Sequence, residues 1–244
     1  MSGSILAIET SCDETAAAVI SDAYEVRSSV VASQIDLHAE FGGVVPELAS
    51  RAHIELITAL VDQALADAGI AGPELTAVAV TAGPGLVGAL LVGIATAKSL
   101  ALGWGLPIVG VNHLDGHLAS VFLANHEVPF PQTALLVSGG HCMLTRARSQ
   151  GVYELLGETV DDSIGEAYDK VARYLGLGYP GGPVLDRLAA SGSDVLHFPR
   201  PMLADNTWPR PSKCRVHTRA KIQSKAPRAD AAKPSRLWSA NCAT

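Results

Sequence analysis

The sequence predicts an α/β protein with an internal duplication, and three observations carry that prediction. Apolar strand-like runs alternate with glycine turns and helix-period segments. A plan of strand, small polar turn, strand occupies residues 5–20 and returns at residues 134–146. Hydrophobic residues make up 48%, charged residues 17% and aromatics only 5%, with Gly, Ala, Val and Leu plentiful. That balance suits close helix-on-sheet packing better than a disulfide scaffold. A chain of 244 residues holds one large domain or two modest ones.

The first half begins with a buried strand, Ile5 to Glu9, a polar turn, Thr10 to Glu14, and a second strand, Thr15 to Ile20. N–H groups in such a turn can converge on a phosphate; an ordinary hairpin turn is the plainer alternative. Ser28 to Ser33 is a third strand. Gly42-Gly43 breaks the chain, and Pro46 suits the first turn of a helix. Leu48, Ala52, Leu56, Leu60, Val61 and Leu65 keep the helical period up to Ala68, and Gly69 is the stop. His53 on this helix is expected to be structural or exposed, not a ligand. Ala77 to Thr81 is an apolar strand that runs through Ala82-Gly83-Pro84-Gly85 into a helix from Leu86 to Trp104. The start of that helix is a candidate anion site, because its first N–H groups lack partners. No GK[ST] follows, so it is not a Walker A loop.

The run Leu86 to Ala97 is too short to span a bilayer, so a buried helix and no membrane are expected. MSGSILAIE has no basic n-region, so no signal peptide is expected. Four cysteines without CxxC spacing argue against a zinc finger or a secreted disulfide framework, and for a reducing, cytoplasmic compartment.

Ile108 to Val111 is the next strand, and at its end stand His113 and His117. On a helix, four residues apart means one face, and two neutral imidazoles on one face can chelate a transition metal. Asp115 between them points elsewhere. For a bare HxxxH, two surface histidines are the commoner outcome; the flanking glycine loops shift the balance towards a site, since ligands gather at strand carboxyl ends.

Pro129 and Pro131 mark a junction. Ala134 to Val137 is a strand, Ser138-Gly139-Gly140 a tight turn, and Cys142 to Arg146 a strand, read as a second phosphate loop or else a tight hairpin. Val152 to Leu156 is a further strand. A helix opens within Asp161 to Lys170, capped by Asp162 or Ser163, and runs to about Leu175. Asp162, Glu166 and Asp169 fall near one helical face: a solvated acidic face, or a carboxylate for a ribose hydroxyl or an ion. Gly178 to Pro183 is a sharply turned loop before a short helix, Val184 to Ala190, which carries Asp186.

Charge then changes sign. Residues 1–203 carry 9 Lys+Arg against 22 Asp+Glu, and residues 204–244 carry 9 against 2. The second stretch has almost no aliphatic residues besides alanine and no apolar period, so disorder is expected. The expected division is a first α/β domain at 1–130, a partial second one at 131–203, and a disordered basic tail at 204–244.

The stretches LAIETSCDET, GGVVPELASRAH, TAGPGLVGALLVGIATAK, GVNHLDGHL, ALLVSGGH, DDSIGEAYDKVARYLGLGYPGGP and HFPRPM occur in this order. Together they resemble the TsaD (Gcp, YgjD) family, the tRNA N6-adenosine threonylcarbamoyltransferases. The resemblance implies an α/β, actin-like (ASKHA, sugar-kinase-like) fold of duplicated ribonuclease H-like domains, with the second domain incomplete. It implies transfer of threonylcarbamoyl from threonylcarbamoyl-AMP to N6 of the adenosine 3' of the anticodon in tRNA. On the family's pattern His113 and His117 are ligands to one divalent metal ion, Fe2+ with Zn2+ as the alternative. Leu136, Val137, Ser138, Gly139, Gly140, Asp169, Gly182 and Asp186 are substrate contacts. Implied partners are tRNA, a paralogous TsaB-like subunit and a TsaE-like ATPase subunit. No general base or other catalytic residue is evident.

The family also has a C-terminal asparagine that contacts the nucleoside and a Cys-Thr-Asp-Asn-like motif whose aspartate is the third metal ligand. Nothing after Leu203 matches either. The tail is therefore expected to be an out-of-frame translation, and the chain a truncated member with weak metal binding and poor or absent catalysis. Two other readings compete. A non-catalytic paralogous binding or scaffold subunit would lack the HxxxH motif present here. A metallopeptidase of the HExxH type would need Glu where this chain has Leu114. The acidic body argues against tight binding of tRNA by this chain alone.

Overall fold

The structure is a computed structural model that describes residues 3–124, 128–159, 162–193, 220–222 and 239–241. The chain divides into two units, Met1–Val128 and Pro129–Thr244.

Unit 1 is built on a five-stranded sheet. β1 (Ser4–Glu9), β2 (Glu14–Ser21) and β3 (Val26–Ser33) form an antiparallel meander. β4 (Ala77–Gly83) and β5 (Ile108–Asn112) extend it in parallel from the other side of β1, giving the order β3-β2-β1-β4-β5. α1 (Ile35–Ala39), α2 (Pro46–Ala68) and a 3-10 turn at Gly72–Glu74 connect β3 to β4, and α3 (Val87–Trp104) connects β4 to β5. α4 (His113–Ala119) and α5 (Val121–Ala124) follow.

The burial pattern is the one that the strand period dictates. Thr15, Ala17, Val19 and Ser21 of β2 are buried, and the residues between them are partly exposed. Leu6 and Ile8 of β1, Val78 and Val80 of β4, Ile57, Leu60, Val61 and Ala64 of α2, and Ala97 and Ala101 of α3 make one core. Leu6 is fully buried there. Leu6→Ala should cost about 2–5 kcal/mol, because the close-packed surroundings cannot collapse into the void. Urea unfolding followed by circular dichroism reads this as a lower midpoint at unchanged slope.

α2 has Pro46 in its first turn and ends at Gly69, whose φ of 63° is the left-handed geometry that glycine adopts freely. α3 is long and apolar enough by length and composition to cross a membrane, but here it lies along the sheet. It departs from the expected buried helix: Ala89, Leu90, Gly93, Ala97 and Ala101 are buried, while Val87, Leu91 and Leu102 are exposed. A helix on one face of a sheet buries one stripe, and its other side faces outward however apolar it is.

His53 is structural. It is fully buried, with Nδ1 2.7 Å from Thr15 Oγ1 and Nε2 3.0 Å from the Cys12 carbonyl. Burial holds its pKa below the ordinary 6.5, against the raising effect of the Cys12 carbonyl, Glu9 and Asp13. The unfolded chain therefore takes up this proton first as the pH falls. The stabilisation is complete above pH 6.5 and declines below it towards the depressed folded value. The slope from this one group is at most about 1.4 kcal/mol per pH unit. The unfolding midpoint should drop on acidification through that window, and His53→Gln should flatten the drop. An unchanged slope in the variant would assign the acid sensitivity elsewhere.

Unit 2 repeats the plan. β6 (Gln132–Val137), β7 (Cys142–Ser149) and β8 (Val152–Thr159) form an antiparallel meander. β9 (Ala220–Ile222) pairs with β8, and β10 (Ser239–Asn241) lies parallel to β6, the place that β4 takes beside β1. Both three-residue strands fall within 204–244, where disorder is expected; backbone pairing needs no apolar side chains. The rest of that tail lies outside the described residues. α6 (Ile164–Tyr174) is capped by Ser163, whose Oγ accepts from Glu166 N at 3.2 Å. α7 (Gly181–Ala190) begins three residues before the Val184 start that the sequence suggests. Pro183 is tolerated because first-turn N–H groups have no helical partner to lose. In both units an antiparallel meander has a parallel strand beside its first member, as the expected duplicated, actin-like α/β fold requires; unit 1 has the full ribonuclease H-like order, and unit 2 adds β9 at the other edge.

Candidate functional site

Chemistry-bearing side chains collect at the carboxyl ends of the three parallel strands of unit 1. The register places Ile8 beside Val80, Thr81 beside Val111, and Gly83 beside Asn112. Glu9, Thr81 and His113 therefore follow one another across the strand ends, where ligands gather in open α/β sheets. Asn112 caps α4, its side-chain oxygen accepting from Leu114 N at 2.9 Å and Asp115 N at 3.4 Å. One helical turn then stacks His117 over His113: the Nε2 atoms are 3.0 Å apart and the rings meet edge to face, 4.5 Å between centroids. Both imidazoles are half-buried, and Asp115 is exposed.

His113 Nδ1 lies 3.2 Å from Glu9 Oε2 and 3.1 Å from Ser11 Oγ. Thr81 Oγ1 donates to the same Glu9 oxygen, and Ser11 N–H donates to the other. Burial alone would raise the Glu9 pKa, but the hydrogen bonds from His113, Ser11 and Thr81 outweigh it and lower the value to about 2. Cys12 next to this turn behaves oppositely. Burial, with Asp13, Glu9 and Glu14 nearby, pushes its thiol up to about 12, which disfavours the reactive thiolate.

The first loop joins the antiparallel pair β1 and β2, as the plainer hairpin reading has it, and one of its N–H groups is committed within the protein. The Ser11 N–H is turned onto Glu9, and the Ser11 carbonyl accepts from Leu86 N at 2.8 Å, which occupies one of the first donors of α3. Gly85 allows this: a Cβ there would stand 2.6 Å from the Ser11 carbonyl oxygen.

In unit 2 the Ser138–His141 turn is closed by Ser138 N–H to the His141 carbonyl at 2.8 Å and by His141 N–H to Ser138 Oγ at 3.0 Å. The Gly139 carbonyl accepts from Glu166 N and from the Ser163 hydroxyl, which docks the turn on the start of α6. Gly139 and Gly140 are exposed, with open space where a Cβ would stand. Leu136 is buried in β6 at 2% exposure, and Val137 and Ser138 are half-buried. Asp169 Oδ1 accepts from Gly181 N at 2.7 Å and anchors α7; Gly182 is half-buried and Asp186 exposed. Asp162 and Glu166 both pair with Lys170, at 2.6 and 3.0 Å, which makes them a solvated ion-pair face.

The match to a family model decides the kinship. Residues 25–234 match the model described as TsaD, tRNA N6-adenosine threonylcarbamoyltransferase. The chain belongs to the tRNA N6-adenosine threonylcarbamoyltransferase family. The matched span runs past Leu203, where the sequence motifs stop. Curated members of the family include proteins of Geobacter sp. (strain M21), 58% identical over 84% of this chain and 60% of the relative, and of Trichlorobacter lovleyi, 59% identical over 83% and 59%. The Halalkalibacterium halodurans member is 56% identical over 84% and 59%. This chain therefore spans about 60% of the length of the family members it matches. Solved structures of related shape include YeaZ from Pseudomonas aeruginosa, at 20% identity, TM-score 0.44 and coverage of 63% and 64%. Another is ROK hexokinase from Thermus thermophilus, at 14% identity, TM-score 0.47 and coverage of 78% and 70%.

For a metal of the kind that this family implies, the His113–His117 pair is a fitting half-shell: two imidazole nitrogens converge on one point, and a carboxylate backs one of them. Among the described residues no group of three or more His, Cys, Asp or Glu forms around it. Glu9, Ser11 and Thr81 are the members that motif reading missed. The usable signal was positional: each stands near or just after the carboxyl end of a parallel strand.

Proposed function

We propose that this chain carries the metal-binding unit and the substrate turn of a cytoplasmic enzyme that transfers threonylcarbamoyl from threonylcarbamoyl-AMP to N6 of the adenosine 3' of the tRNA anticodon. The observation that supports this most is the facing Nε2 pair of His113 and His117 in a chain of this family. His113 and His117 hold one divalent ion, Fe2+ with Zn2+ as the alternative. An ion held there would supply Lewis-acid chemistry. In unit 2, Gly139 and Gly140 offer bare backbone to an anionic substrate, and Asp169 fixes the amide end of α7 beside Gly182 and Asp186. A TsaB-like paralogue and a TsaE-like ATPase are the partners of this reading.

Two imidazoles make half a metal shell, so catalysis by these residues alone is poor. The test is transfer of labelled threonine from threonylcarbamoyl-AMP to unmodified tRNA, with both partner subunits present. The expected result is a rate well below that of a full-length relative, lost in His113→Ala. Transfer that survives replacement of both histidines would sink the reading. The coding DNA across Pro201 to Asp205, read in all three frames, tests the tail separately. A frame that continues into a Thr-Asp-Asn motif would make the tail an artefact, and no such frame would make it genuine.

A further inference from the structure

We propose that Glu9 is the positioning residue of the histidine pair: its carboxylate keeps the His113 proton on Nδ1 and thereby turns a bare Nε2 towards His117. The argument is one of donors and acceptors. Ser11 N–H can only donate, and it points at Glu9 Oε1. Thr81 Oγ1 donates to Oε2, so both carboxylate oxygens are held before His113 is considered. An ionised carboxylate only accepts. The His113 nitrogen 3.2 Å from Oε2 must therefore carry the proton, and Ser11 Oγ at 3.1 Å is a second acceptor for it.

A neutral imidazole with its proton on Nδ1 has a lone pair on Nε2. That Nε2 lies 3.0 Å from His117 Nε2, where both nitrogens can close on one cation. The sheet register fixes this arrangement. Glu9 ends β1, Thr81 sits near the end of β4, and His113 follows β5, on three neighbouring parallel strands. A carboxylate behind a ligating histidine sets its tautomer and ring orientation and raises its basicity. The consequence for metal affinity rests on the metal reading above; the assignment of the tautomer does not.

The experiment is a long-range 1H–15N spectrum of the histidine side chains in the metal-free full chain at pH 8, with His113 assigned by its loss in His113→Ala. The parent should show His113 with its proton on Nδ1. In Glu9→Gln, whose amide can donate to Nδ1, a large share of the Nε2–H form should appear, while the buried His53 signals stay in place as a marker of the intact fold. Co2+ affinity, read by visible absorption, should fall roughly 10- to 100-fold in Glu9→Gln. Glu9→Asp keeps the charge but withdraws it, and should fall between. A parent with the proton on Nε2 overturns the proposal, and so does a Glu9→Gln variant with the parent's tautomer. If the parent binds no Co2+, the metal reading fails while the tautomer still decides the role of Glu9. A purely structural Glu9 would lower stability and leave the tautomer alone.

Discussion

Alanine in place of either His113 or His117 should remove the Co2+ affinity of this chain, a loss of roughly 100-fold or more. Losing a supporting residue typically costs 10- to 100-fold, and losing a ligand itself costs more. On the metal reading proposed above, the pair would owe its affinity to chelation: two Nε2 atoms 3.0 Å apart would bind one ion for one entropic cost. A single remaining imidazole competes poorly with water. Visible absorption on Co2+ titration measures this directly. Asp115→Ala is the control, since Asp115 is exposed and should change nothing. Parent affinity should itself be weak where two imidazoles are the whole protein shell. Stoichiometric iron or zinc retained through purification would contradict the weak binding, and Co2+ bound equally by the double variant would move the site elsewhere.

Gly85→Ala should destabilise unit 1 by about 1–3 kcal/mol and blunt the histidine site as well. The new methyl carbon would stand 2.6 Å from the Ser11 carbonyl oxygen and 2.8 Å from the Ser11 Cβ. Backbone cannot swing aside as a side-chain tip can. The same carbonyl accepts from Leu86 N, and Ser11 N–H holds Glu9, so a displaced Ser11 loosens the carboxylate behind His113. Two glycines of α3 give the comparison. At Gly88 the obstacle is the Ser50 hydroxyl, which can rotate, so Gly88→Ala should cost less. At Gly103 nothing lies within 4 Å, and Gly103→Ala should stabilise by about 0.4–1 kcal/mol. Urea midpoints of the three variants give the order. A Gly85→Ala protein as stable as its parent would show that the contact relaxes freely.

Local signals located most elements because each rests on a local cause. The α2 bounds agree with the sequence reading, since Pro46 and Gly69 act through their own backbone geometry. The β4 and β5 strands, buried or paired in parallel, read as apolar runs. The start of α7 was displaced because a proline in a first turn looks like a loop in sequence. At the site, His113 and His117 were visible because four residues make one helical turn, and the Ser138–Gly140 turn because small residues mark tight backbone. Glu9 was not visible. It stands 104 positions before His113, and no periodicity links residues that meet only through strand order.

The α/β class, the duplication, the spacing of the histidines and the kinship that the motifs express are all legible in the order of residues alone. All of these depend on neighbours within a turn, a strand or a short motif. Tertiary structure alone decided that Ser11 N–H serves a carboxylate and not a phosphate, that Asp162 and Glu166 form an ion-paired surface, and that Glu9, Thr81 and His113 converge. Those outcomes depend on which strands lie side by side, and that order is set by burial of Leu6, Val19 and Val78 in one shared core.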